Sequence, residues 1–233
     1  MLNRTVLLFF IVTLISGCAT QGVSTQRYVE PPVRTFTNEV IIEKPYSQVW
    51  DALVKQLSKS FYVINNIDKE SRIINVSFVS TKPDDFIDCG RTYRTYTQGD
   101  NIERYEYETA SKSRFKVATP NKINQNYAGF ILVQRDTSLD GRSNIYVAPN
   151  EGSPNVTTVT VNARYILTIK VRQDLYGQHV NGSVHFFQNL PGNDYTVALD
   201  TKKPESIDFG ADVSGTCLSR GILEKEILRM AKQ

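Results

Sequence analysis

The residues at 156–171 constrain the fold of this chain more than any other segment. The run reads VTTVTVNARYILTIKV, and all of its first six residues are β-branched. β-Branched side chains are stiff and pack well on a pleated surface, so they favour strands over helices. The run therefore predicts a long strand and places β-sheet at the centre of the fold.

Shorter β-rich segments accompany this run on both sides, separated by Gly, Pro, Asn and Asp. Turn residues predict hairpins at 68–71 and at Asp140-Gly141, and Asn181-Gly182 indicates a further turn. The strand candidates are 35–43, 62–66, 72–79, 91–98, 104–109, 114–118, 128–135, 144–148, 184–187 and 195–199.

Two segments have helical periodicity. Pro45 is suited to the start of a helix, and Val49, Leu53 and Leu57 then recur every four residues. A second helix is predicted over 218–230, with its apolar face formed by Ile222, Leu223, Ile227 and Met230 and its polar side by Glu224 and Lys225. These elements predict an α+β class, with an antiparallel β-sheet packed on an N-terminal and a C-terminal helix.

The N-terminus predicts export. An apolar run at 6–15 is too short to remain as a membrane-spanning helix, and it ends in Ile15-Ser16-Gly17-Cys18, which resembles a bacterial lipobox. The resemblance implies a signal peptide at 1–17, acylation (palmitate included) of Cys18 and a polar tether at 18–34. Ala19 is not the aspartate that retains lipoproteins at the inner membrane, which implies outer-membrane anchoring. The pattern of elements along the rest of the chain predicts a single periplasmic domain at 35–233. An ordinary secretory signal with a chance cysteine is the alternative.

The other two cysteines, Cys89 and Cys217, would lie in an oxidising compartment, where they can form a disulfide. Two unpaired buried thiols are the alternative. The two cysteines lack a CxxC motif and a nearby histidine, so they do not have the spacing of a metal or redox site.

The composition argues against several functions. The formal charge is only +3, which gives no electrostatic case for nucleic-acid binding. The chain has only two histidines, His179 and His185, and they flank the predicted Asn181-Gly182 turn. We find no nucleophile elbow and no phosphate-binding loop, and therefore predict a non-enzymatic protein without metal or cofactor.

Two polar clusters are candidate sites. Basic and aromatic residues alternate on two neighbouring strand candidates, a composition typical of protein interfaces and of glycan contacts; they are Arg91, Tyr93, Arg94, Tyr96, Arg104, Tyr105 and Tyr107. Glutamates among them also fit a plain solvated sheet with cross-strand ion pairs. Asp84, Asp85 and Asp88 fit either a cation or acid–base site or three aspartates of a loop.

The opening of the domain resembles BamC, an accessory lipoprotein of the outer-membrane β-barrel assembly machine. The resemblance rests on the residues at 46–53, Val63–Asp68 and 72–74. It implies a helix-grip fold, in which a curved sheet wraps a terminal helix, and an accessory or scaffold role in an envelope assembly such as barrel assembly or secretion. The partners would then be envelope proteins, besides the membrane itself. A lipid or small-molecule binder with a START-like cavity is the alternative.

Overall fold

The computed structural model describes residues 20–119, 123–208 and 214–233. The α+β class is confirmed: strands dominate, every strand pairing is antiparallel, and two helices cover part of the main sheet. The elements are β1 (Val23–Val29), β2 (Glu39–Ile42), α1 (Tyr46–Leu57), β3 (Val63–Asp68), β4 (Ile73–Ser80), β5 (Ile87–Asp88), β6 (Arg91–Gln98), β7 (Asn101–Glu108), β8 (Ser113–Ala118), β9 (Tyr127–Asn150), β10 (Ser153–His179), β11 (Val184–Asp200), β12 (Glu205–Asp208), β13 (Ser214–Ser219) and α2 (Ile222–Ala231).

The hairpin of β9 and β10 is the spine of the molecule. The main sheet has the order β11-β10-β9-β4-β3, with β2 also beside β10 and β8 also beside β9. The two spine strands have 24 and 27 residues, which confirms the long strand predicted from 156–171 and extends it at both ends. Two three-stranded sheets, β1-β6-β7 and β12-β13-β5, complete the described part of the chain.

The main core lies in the half of the spine that ends at the turn between β9 and β10. We call it the helical half. Both helices pack against each other and onto β10 here. The inward-facing residues alternate along the strands and are fully buried, as the two-residue period of a strand requires; examples are Ile145, Val147, Val159, Val161, Tyr165 and Leu167. The other half, which we call the distal half, carries β8 and the β1-β6-β7 sheet.

The turn predicted at Asp140-Gly141 is wrong. Both residues lie inside β9 and pair with β4 on one side and β10 on the other. Gly141 is paired with Phe78, and a side chain at Gly141 would overlap the Phe78 ring. The glycine therefore makes room for an aromatic ring, and the hairpin connects β9 to β10 ten residues later.

The strand candidates 184–187 and 195–199 are one strand, β11. Pro191 and Gly192 lie between them, where the pairing with β10 changes register. β11 is an edge strand of the main sheet, and a proline is tolerated at this irregularity because the ladder of hydrogen bonds to β10 is already interrupted there.

The predicted boundaries of the C-terminal helix and its buried face are both wrong in part. α2 begins at Ile222, after Gly221 in the left-handed region (φ +67°), and Leu218 belongs to β13. The helix is also rotated: Ile222 is exposed, whereas Glu224 and Leu228 are buried. A carboxylate is tolerated in this core because Tyr165 and Ser219 donate hydrogen bonds to it.

The segment predicted as a tether contains a strand. β1 pairs along its whole length with β6, from Val23 opposite Thr97 to Val29 opposite Arg91. Five of the seven residues of β1 are exposed and the other two are only partly buried, so the strand has no buried apolar face and hydrophobic periodicity could not reveal it. Cys18 and the predicted signal peptide lie outside the described residues.

Candidate functional site

The seven-residue Arg/Tyr patch predicted from the sequence does not form one surface. Its residues lie on β6 and β7, as expected, but the register divides them between the two faces of the small sheet. Arg91, Tyr93 and Arg104 lie on the outer face. Arg94, Tyr96, Tyr105 and Tyr107 lie on the inner face, toward β8 and β9.

The outer face is a solvated surface with internal charge pairs. Arg91 forms ion pairs with Glu106 and Glu108 on β7. The Arg27 guanidinium on β1 lies 4.3 Å from the centre of the Tyr93 ring. These contacts match the simpler of the two sequence interpretations, a sheet with cross-strand ion pairs.

The inner face holds the small sheet against β8. The Arg94 guanidinium lies 4.2 Å from the centre of the Phe115 ring, and its Nε donates a 2.9 Å hydrogen bond to the Tyr107 hydroxyl. The Tyr107 ring stacks on Phe115 with centroids 5.5 Å apart. Arg135 is buried beneath them and donates from Nη2 to the Thr109 carbonyl at 2.8 Å. These residues build the interior of the distal half.

An open groove lies beside this packed layer, where β7 and β8 meet the distal part of β9, β10 and β11. It has a volume of about 410 Å³. We call it the aromatic groove, because its walls include Tyr105, Phe115, Phe130, Tyr176, Leu132 and Val184. The Phe130 and Tyr176 rings are stacked, with centroids 5.6 Å apart and planes inclined by 11°.

Three polar side chains of the aromatic groove, those of Lys116, Glu103 and Tyr105, are engaged with one another. Lys116 Nζ lies 2.5 Å from Glu103 Oε1 and 4.9 Å from the centre of the Phe130 ring. The Tyr105 hydroxyl also donates to Glu103. A cation over aromatic rings and paired with a carboxylate gives this wall both an apolar and a charged character.

These contacts set the ionisation of the groove. Burial alone would raise the pKa of Glu103, but the hydrogen bonds from Lys116 and Tyr105 outweigh it and lower the pKa below the usual range. Burial, and then the Glu103 carboxylate, raise the pKa of the Tyr105 phenol. Burial likewise raises the pKa of Tyr96, a buried neighbour of Phe130 outside the groove lining, to about 12. At neutral pH the groove therefore presents a neutral Tyr105 phenol and a closed ion pair between Lys116 and Glu103.

The three aspartates of the second candidate site are not one cluster. Asp84 and Asp85 lie in a short 3-10 turn, whereas Asp88 is buried on β5. Asp88 Oδ2 lies 3.6 Å from Arg34 and 3.7 Å from Arg220, and its Oδ1 accepts from the Gly90 amide. Asp88 thus ties two chain segments to β5.

The two histidines lie at the β10–β11 turn. The Tyr127 ring stands between them, with its centroid 4.8 Å from that of His179 and 5.3 Å from that of His185. Gly182 has a φ of +87°, which only glycine adopts readily in such a turn. The turn predicted at Asn181-Gly182 is therefore confirmed.

Cys89 and Cys217 are joined as a disulfide, which confirms the predicted pairing. Cys89 directly follows β5, Cys217 lies in β13, and both are buried. Within the described residues no group of three or more His, Cys, Asp or Glu side chains is placed to hold a metal ion. The helices of the described residues, α1 and α2, are not long and apolar enough to cross a bilayer.

Comparison with known proteins adds no family: no protein-family model, curated protein or solved structure matches the chain significantly. The candidate site therefore rests on its own contacts. Sequence reasoning found Tyr105 but missed Lys116, Phe130 and Tyr176. These residues are far apart in the chain, and only the register of β8, β9 and β10 brings them together.

Proposed function

We propose that this chain is a non-enzymatic lipoprotein of the outer membrane and an accessory or scaffold subunit of a cell-envelope assembly. In this proposal Cys18 carries the lipid and residues 20–233 face the periplasm. The helices and sheet would follow the helix-grip plan that the BamC-like opening implies. The partner would be an envelope protein involved in barrel assembly or secretion.

The aromatic groove is the observation that supports this proposal best. Its walls place four rings around an open space, and aromatic residues supply much of the binding energy at protein interfaces. Lys116, Glu103 and Tyr105 are already engaged with one another, which favours recognition over chemistry. An extended segment of a partner, with one apolar side chain seated among the rings, fits a groove of this form.

The first test is gentle detergent extraction of the tagged protein from its own membranes, followed by size analysis and identification of what accompanies it. We expect a species larger than the lone chain, with defined partners in fixed stoichiometry. A lone chain in every mild detergent would contradict the scaffold function.

A matched pair of variants then locates the partner. Tyr105 and Tyr93 are both partly buried tyrosines of the small sheet, but they lie on opposite faces. We expect Tyr105→Ala to lose the partner and Tyr93→Ala to retain it. Arg114→Glu, at the rim of the groove, and Arg104→Glu, on the outer face, repeat the comparison without removing a ring. Equal retention by both members of each pair would exclude the groove.

A small apolar ligand is the second candidate, because a volume of about 410 Å³ lies within the range of small-molecule sites. The space between sheet and C-terminal helix is less suited to one. The buried side chains of Tyr165, Leu223 and Ile227 occupy it. Native mass spectrometry of the mild-detergent extract tests this candidate: a mass above that of the acylated chain supports a ligand, and the bare acylated mass argues against it.

A further inference from the structure

The distal end of the spine carries an exposed, uncharged and aromatic tip. Its apolar side chains include Val180, Val184, Phe186 and Phe187, which are 46%, 53%, 52% and 40% exposed. The two segments that form it, 123–133 and 175–190, contain no Asp, Glu, Lys or Arg. Large exposed apolar groups without charge are unfavourable in water, so they indicate a surface that is covered in the cell.

The same end of the molecule receives the N-terminus of the described chain. The Thr20 carbonyl accepts a 3.1 Å hydrogen bond from Gln98, at the end of β6. The Gln21 side chain donates to the Thr119 carbonyl, just after β8. The chain therefore enters the fold beside the β6–β7 turn and the end of β8.

Close packing connects this entry point to the tip. A side chain at Gly129 would collide with Thr119, and Gly129 is paired with Gly177. The Phe187 ring in turn lies against Gly177. Thr20, Thr119 and Phe187 thus belong to one end of the distal half.

Cys18 precedes Thr20 by two residues. Since a fully extended residue spans at most about 3.6 Å, the Cα of an acylated Cys18 would lie within about 7 Å of the Cα of Thr20. A lipid anchor so close to the folded domain cannot hold that end away from the bilayer. With Cys18 acylated, the membrane surface would therefore lie beside the tip.

We propose that the tip is a second membrane contact, in which the rings and apolar side chains of the β10–β11 hairpin enter the headgroup region beside the lipid anchor. This inference rests on the proposed acylation of Cys18. Phe, Tyr and Val side chains at this depth gain burial while the tyrosine and histidine polar atoms stay hydrated. Because the tip has no formal charge, its contact needs no anionic lipid.

The consequence of this second contact is a fixed orientation of the domain relative to the membrane. An acyl anchor alone leaves a domain free to rotate above the membrane, whereas two contacts at one end hold the spine upright. The helical half then projects into the periplasm, and the aromatic groove, lined in part by Val184, opens close to the bilayer surface.

The test uses the full mature lipoprotein reconstituted into phosphatidylcholine vesicles, with and without bromine on the acyl chains. Bromine quenches an indole that enters the bilayer. Phe186→Trp places a reporter at the tip, and Ile41→Trp places one on β2 of the helical half, where Ile41 is 62% exposed. The natural Trp50 is buried in the core and gives the same background in both variants.

We expect brominated vesicles to quench most of the added fluorescence of Phe186→Trp and to leave that of Ile41→Trp unchanged. Val180→Trp repeats the tip measurement should Phe186→Trp fail to fold. Unquenched tip reporters on a lipidated, vesicle-bound protein would overturn this inference and leave the anchor intact. Such a result would point to a protein partner at the tip instead. A mature mass without acyl chains would overturn the anchor itself, independently of the quenching.

Discussion

One buried carboxyl group, that of Glu224, should make the stability of the helical half depend on pH. Glu224 is fully buried on α2 and accepts hydrogen bonds from the Tyr165 hydroxyl at 3.0 Å and from Ser219 at 3.5 Å. Burial raises the pKa of Glu224 above its ordinary value of 4.5, despite these hydrogen bonds. The native state therefore holds the Glu224 proton more tightly than the unfolded chain does.

Glu224→Gln tests this linkage. With a raised native pKa, this carboxyl makes its full contribution to stability below pH 4.5 and loses it as the pH rises through the native pKa. A glutamine has no proton to lose, so the stability of the variant relative to the parent should increase over that interval. Urea unfolding midpoints measured at a series of pH values would show it, with Glu70→Gln as a control. A difference that is constant with pH would contradict the assignment.

The close packing at Gly141 can be tested by a single substitution. The Phe78 ring covers Gly141 from the neighbouring strand, so we expect Gly141→Ala to cost about 1–3 kcal/mol of unfolding free energy through overpacking. The cost should shrink in a Phe78→Leu background, and a double-mutant cycle in urea measures that coupling. Additive effects would mean that the Phe78 ring is not the reason for the glycine.

Elements with a strong local signal were predictable, and elements specified by their neighbours were not. The apolar spacing of α1 and the β-branched run of β10 are local properties, and both predictions are confirmed. β1 is polar and acquires its strand conformation only from β6. Gly141 resembles a turn residue until Phe78 is placed opposite it.

The residues of the candidate site show the same difference between local sequence signals and contacts set by the fold. The Arg/Tyr alternation placed β6 and β7 correctly, but composition cannot assign residues to faces before the register is known. The aromatic groove needs contributions from five strands. Its members therefore have no sequence signature, and even Tyr105 was selected for its neighbours on β7 and not for Lys116 on β8.

The disulfide is the strongest link between elements far apart in the chain. It joins the residue after β5 to β13 across a sequence separation of 128 residues. Closing a loop of this length in the unfolded chain should stabilise the fold by about 5 kcal/mol in the chain-entropy account. Replacing both cysteines by alanine should lower the unfolding free energy by an amount of that order, and urea titration measures it. Equal stability of parent and double variant would contradict this.

At the scale of the whole molecule, the spine makes the two halves one cooperative unit. β9 and β10 pair continuously from Tyr127 opposite His179 to Ala148 opposite Thr158, so neither half can lose its sheet without exposing strands of the other. We expect a single unfolding transition. The single tryptophan, Trp50, is buried against the helical half and reports there, while far-UV circular dichroism reports mainly on the strands of both halves.

The two signals should therefore share one urea midpoint and one slope. Hydrogen exchange adds spatial resolution, because amides at 131–134 in the distal half and at 143–147 in the helical half should open with similar free energies. A lower midpoint for circular dichroism than for Trp50, with early exchange at 131–134, would show that the distal half unfolds first. The membrane-facing end would then be a separately folding unit, and the spine would not transmit the orientation of the tip to the helical half.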